Sequence, residues 1–193
     1  MQPMTRHEIR SKDVYEKERP DFRRRVMRIK DRRRVLVGRH CSVHFESRDT
    51  LLYQVHEMLR AENSWERAGA IEDELEAYNP LVPGSGELSA TIMFEYETPE
   101  ERAEHLPRFV GIDRHVWLRI GETEPLLAEF DAGQIDEHKV SSVQYIKWRL
   151  DDRRRGLLGK EGTVVRIVID HPHYEAQAVL SEQARDEIKR DPD

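Results

Sequence analysis

His44 and Glu46 stand two residues apart in "CSVHFE", and a strand turns both side chains to the same side. An imidazole nitrogen beside a carboxylate is a donor pair that zinc or iron accepts. His171 and His173 repeat the spacing across Pro172, and His115 or Glu57 would bring a further ligand. Against a metal centre, neither HExxH nor paired ExxH motifs occur, so the ferritin-like di-iron pattern is absent. Histidines of this kind serve equally as surface or hydrogen-bonded residues.

A second group is Tyr53, Glu57 and Arg60, which share one face of a helix at this spacing. Glu57, held ionised by Arg60, would act as a general base if that face lines a pocket. The plain alternative is an exposed face with one ion pair worth under about 1 kcal/mol. Cys41 is the only thiol, which excludes an intrachain disulfide and a cysteine zinc cage and points to a reducing, cytoplasmic setting. As a nucleophile it lacks a base, since His44 at i+3 in a strand faces the other way. The "GSG" at Gly84 to Gly86 leads into a strand, so it has no helix N-terminus with which to hold a phosphate.

The third group is basic. Arg24, Arg28 and Arg32 fall at i, i+4 and i+8 of a helix, opposite an apolar stripe of Phe22, Val26 and Ile29. Residues 1–39 hold 14 Lys/Arg against 6 Asp/Glu, whereas residues 57–104 hold 13 Asp/Glu against 3 Arg. An acidic counterpart for the basic segment thus exists inside the chain. Nucleic-acid binding through the row is the alternative, but no aromatic residues interleave it to stack bases.

The elements that must position these groups follow from periodicity and caps. Thr5 with Glu8 forms a capping box that predicts a short helix, and Pro20 suits the first turn of a second helix reaching Arg32. "RVLVG" and "CSVHFE" read as a hairpin about Gly38. Ser47 caps a helix whose buried face is Leu51, Leu52, Val55, Met58 and Leu59, and "NSWE" opens another that runs through Trp65 to Tyr78. "ELSATIMFEYE" alternates, placing Leu88, Ala90, Ile92, Phe94 and Tyr96 on one face and Glu87, Ser89, Thr91 and Glu95 on a face expected to be wet. "TPEE" caps a helix ended by Pro107. Then "HVWLRIG", "EPLLAEFD", "VSSVQYIKWRL", "TVVRIVID" and "YEAQAVL" are strand-like, and Ser181 caps a last helix. Helices first and consecutive strands afterwards predict an α+β fold, N-terminal helices packed on a mainly antiparallel sheet. The expected division is an N-terminal helical segment at 1–32 and a sheet domain at 33–193, forming one compact unit. No signal peptide or membrane span is read, the longest apolar runs being too short.

The strings "YEKERPDFRRRVMRIKDRRRVLVG", "FESRDTLLYQVHEMLRAE", "YNPLVPGSGELSATIMFEY" and "SSVQYIKW" resemble the bacterial family called domain of unknown function 3501, from about Arg6 to Trp148. The resemblance implies no activity, cofactor or catalytic residue. It implies a redox or oxidative-stress setting, since members are encoded near rubrerythrin-like and iron-sulfur oxidoreductase proteins. The expectation is a non-enzymatic accessory or interaction protein with a protein partner or self-association. A metal-binding protein or metal-dependent enzyme is the first alternative.

Overall fold

The computed structural model describes residues 1–134 and 140–192. Its first long element is α1 (Lys12–Arg33), which begins well before the expected start at Pro20. Tyr15, Phe22 and Val26 are its buried stripe, and burial of two aromatic rings drives the helix through the proline. Pro20 removes only the bond to the Glu16 carbonyl and faces solvent, where water replaces it. The expected helix at Thr5 is a single 3₁₀ turn, Arg6–Glu8, closed by Glu8 Oε2 accepting from the Thr5 N–H at 2.9 Å.

The hairpin of β1 (Arg34–Leu36) and β2 (Cys41–Phe45) turns at Gly38, whose φ of +78° requires glycine. Ser47 caps α2 (Arg48–Ala61) as expected. The next helix, α3 (Ala70–Tyr78), starts later than "NSWE" suggests. Gly69 at φ +82° breaks the pattern, and Trp65 stays in the preceding turn, donating from Nε1 to the Arg10 carbonyl at 2.9 Å. β3 (Glu87–Phe94) and α4 (Pro99–His105, capped by Thr98) follow.

β4 (Val116–Ile120) leads to the stretch expected as one strand, which is divided into β5 (Leu126–Leu127) and β6 (Glu129–Phe130). These two join different sheets. Beyond β7 (Val143–Arg149) lies an unanticipated helix, α5 (Asp152–Gly159), whose two glycines and arginine triplet gave no helical period; Asp151 caps it. β8 (Val165–His171), β9 (Tyr174–Val179) and α6 (Glu182–Ile188) complete the chain.

All pairings are antiparallel, in a five-stranded sheet of order β1-β2-β3-β7-β6 and a four-stranded sheet of order β5-β4-β8-β9. The fold is α+β. One apolar cluster joins Val43, Phe45, Ile92 and Trp148 of the first sheet to Leu118 and Ile167 of the second, so the sheets pack face to face. Helices α1, α2 and α3 cover the outer face of the five-stranded sheet, whereas α5 and α6 pack on the core between the sheets. That outer face is the one expected to be wet, and the expectation fails within the strand: Glu87, Ser89 and Thr91 are buried, while Glu95, just past its end, is exposed as expected. A strand with polar alternation has been roofed, so its polar groups need partners inside the protein.

Candidate functional site

Antiparallel register aligns residues one opposite another on the same face. Arg34 lies opposite His44, His44 opposite Thr91, and Thr91 opposite Tyr145, so one polar row crosses four strands. Above the row, α1 contributes Met27, Lys30 and Asp31, and α2 contributes Gln54. Between the row and this roof is a cavity of about 470 Å³, within the range of small-molecule sites.

Each polar group in the floor is held. Ser42 Oγ donates to Glu95 Oε1 at 2.6 Å and lies 2.9 Å from His44 Nε2. A hydroxyl has one proton and an ionised carboxylate has none to give, so His44 donates from Nε2 and its Nδ1 is left as an acceptor. Burial, with the Arg34 guanidinium, lowers the pKa of His44 and favours this neutral form. Arg34 in turn holds Glu95 with Nη2 3.0 Å from both carboxylate oxygens.

Glu46, 9% exposed, has its Oε1 bonded by Thr91 Oγ1 at 2.7 Å and its Oε2 by Thr50 Oγ1 at 2.5 Å. Its backbone carbonyl accepts from Arg33 Nη1 at 3.2 Å. Arg33 is itself buried and paired with Asp191, at 2.6 and 2.9 Å, so the C-terminal segment anchors this corner of the cavity. The phenols of Tyr78 and Tyr145 close one wall. Burial pushes Tyr78 up to about 12 and also raises Tyr145, so both hydroxyls keep their protons near neutral pH.

The structure therefore brings together His44 and Glu46 of the expected metal group, but not their expected companions. Glu57 lies elsewhere, His171 belongs to the other sheet, and His115 immediately precedes that sheet's β4. His171 and His173 do not form a strand pair, since His171 ends β8 and His173 is in the turn, donating its backbone N–H to His171 Nδ1 at 3.2 Å. His171 Nε2 is 3.2 Å from the Val110 carbonyl, and His115 Nδ1 is 3.0 Å from Asp170. Among the described residues no three His, Cys, Asp or Glu side chains are grouped to hold a metal ion.

The expected pairing of Glu57 with Arg60 is also corrected. Glu57 accepts from Arg19 Nε and Nη2, both at 2.7 Å, and from Tyr15 Oη at 2.6 Å, while Arg60 Nε reaches Glu16 at 2.8 Å. The guanidinium of Arg19 holds the Glu57 carboxyl down at about 2. Tyr53 is buried edge-on to Phe22, because α1 covers the helix face that the sequence left open. Of the arginine row, Arg24 pairs with Asp21 and Arg32 with Glu187, and Arg28 makes no ion pair among the described residues. Cys41 is buried in the core on the opposite side of β2 from His44, its thiol pushed up to about 12 by burial.

A family model described as "Protein of unknown function (DUF3501)" matches residues 3–191. The chain belongs to that family. A DUF3501-like fold is seen in a crystal structure of a "novel protein of unknown function" from Burkholderia pseudomallei, 35% identical, with a TM-score of 0.91 and 100% of both chains covered. None of the curated proteins matches. The cavity is also lined by Thr91, Tyr145, Tyr78 and Gln54, none of which the sequence marked as a site residue. Their signal is tertiary, since only strand register brings Thr91 and Tyr145 beside His44.

Proposed function

We propose that the protein is a non-enzymatic accessory protein that works by holding a small polar ligand in the cavity between α1 and the five-stranded sheet. The observation that carries this reading is the roofed polar face. A buried threonine, histidine and glutamate surface costs stability unless its hydrogen bonds are met, and here Thr91, His44 and Glu46 line open room instead of close-packed side chains. The floor groups are fixed in orientation before any ligand arrives, which lowers the ordering cost of binding. The redox or oxidative-stress setting comes from the family resemblance, and it makes a protein of such a system the partner to which the loaded form is presented.

Native mass spectrometry of gently purified full-length chain tests this. The expected result is a fraction carrying a bound mass of small-molecule size that is lost in Val143→Trp, where an indole fills the cavity beside Tyr145. A bound mass unchanged by that variant, with its fold intact, contradicts the site.

A further inference from the structure

The acids buried in this protein differ in their partners. Asp191 has Arg33, Glu87 has Lys147 Nζ at 2.7 Å and Arg149 at 3.1 Å, and Glu74 of α3, which does not line the cavity, makes no ion pair among the described residues. Glu46 has two threonine hydroxyls and no cation within ion-pair distance among the described residues. It sits just before the first turn of α2, where the helix dipole favours negative charge. A buried carboxylate bonded only by neutral hydroxyls lacks most of what normally offsets its lost hydration.

The cavity's own cations do not make good the deficit. Lys30 Nζ lies over the Tyr53 ring, 5.7 Å from its centroid, and Arg34 is engaged with both oxygens of Glu95. At the rim, exposed Asp31 makes no ion pair among the described residues. Two carboxylates, one at the floor and one at the mouth, are thus without a counter-charge. His44 adds a lone pair at Nδ1 and no proton. Around them stand Met27, Leu51, Leu81, Met93 and Val143, with Tyr78 and Tyr145.

We infer that the ligand is a small aliphatic amine, its ammonium group paired with Glu46 and hydrogen-bonded towards His44 Nδ1, its methylene stem along the methionines and aliphatic wall. This rests on the cavity being the binding site. Ammonium supplies the donors and the charge that the floor lacks. Asp31 adds attraction at the entrance, and a second amine at the far end of the stem has a partner there.

Isothermal titration of the full chain near neutral pH with n-pentylamine and with 1-pentanol separates charge from shape. The expected result is saturable one-to-one binding of the amine, at least tenfold tighter than the alcohol, reduced tenfold or more in Glu46→Gln and several-fold in Asp31→Asn. Asp31 is exposed, so its variant reports on binding even if Glu46→Gln does not fold. Equal affinity for amine and alcohol overturns the amine assignment and leaves the cavity as a binding site. Saturable binding of zinc ions alone, with no binding of the amine, overturns the assignment in favour of a metal seat at His44 and Glu46. Binding of neither amine, alcohol nor zinc overturns the assignment and the cavity reading together.

Discussion

Thr91 Oγ1 donates to Glu46 Oε1 at 2.7 Å, across two neighbouring strands and beneath a helical roof. That bond ties a residue of β3 to the residue that follows β2 and leads into α2. It also fixes the orientation of the Glu46 carboxylate. Replacing Thr91 by Val keeps the shape and removes the donor. The expected cost is about 1–3 kcal/mol, because a buried acceptor is left short of a partner. Urea denaturation measures it, and a cost near zero means that Glu46 has other donors in solution.

The clasp between Arg33 and Asp191 is the more costly one to break. Asp191→Asn leaves a buried guanidinium with two backbone carbonyls and no counter-charge among the described residues, and such breaks cost about 3–5 kcal/mol. Both side chains are under a tenth exposed, so solvent screening gives little relief. The midpoint of chemical denaturation should fall accordingly, and α1 should lose amide protection near Arg33 first. A variant as stable as the parent refutes the role given to the C-terminal segment.

Two arginines at the α1–α2 contact should behave differently. Arg19→Ala removes the pair of bonds to Glu57 and is expected to cost about 1–3 kcal/mol, as charge-assisted bonds do. Arg60→Ala removes only its more exposed bond to Glu16 and should cost under about 1 kcal/mol. Reversal of this order in thermal melts speaks against the geometry.

Stability should respond to acid in two stages. Burial lowers the pKa of His44, His56 and His171, so the folded state resists protonation that the unfolded chain accepts below about 6.5. Folded pKa values below unfolded ones mean that stability is full above about 6.5 and declines as pH falls through that value. A second decline begins near 4.5, where Glu8 and Glu57, each held at about 2 by an arginine, retain their charge in the folded state alone. Asp191 and Glu74 are raised by burial and act in the opposite sense, which makes the histidine stage the cleaner one. Thermal midpoints should drop between about pH 7 and 5.5, and a rise there is inconsistent with neutral buried histidines.

Two glycines give a matched contrast. At Gly38 a Cβ would meet Tyr174 Oη at 2.8 Å and Ala176 Cβ at 2.9 Å, with φ at +78°. Gly38→Ala should destabilise by more than about 1 kcal/mol. Gly156 lies inside α5 with open space about its Cβ position, and Gly156→Ala should stabilise by about 0.5–1 kcal/mol. Differential scanning calorimetry distinguishes the two directions.

Caps and strand alternation were legible, as Ser47, Thr98, Ser181 and the face pattern of β3 show. Elements ruled by tertiary burial were not. α1 runs through Pro20 because Tyr15 and Phe22 are buried together against α2, and a local rule about proline cannot see that contact. His44 and Glu46 were found from spacing alone, whereas Thr91 and Tyr145 are separated from them by long stretches of chain and meet them only through sheet register. Polar alternation in β3 gave the right face and the wrong surroundings, because period two does not say whether water or a helix lies above.

Amide chemical-shift mapping of the full-length chain during titration with n-pentylamine tests the central claim most directly. Saturating shifts centred on His44, Glu46, Thr91 and Tyr145 are predicted, with smaller ones at Asp31 on the helical roof. Shifts confined to the exposed acidic helix at Glu100 and Glu101, with the sheet row unmoved, would contradict it.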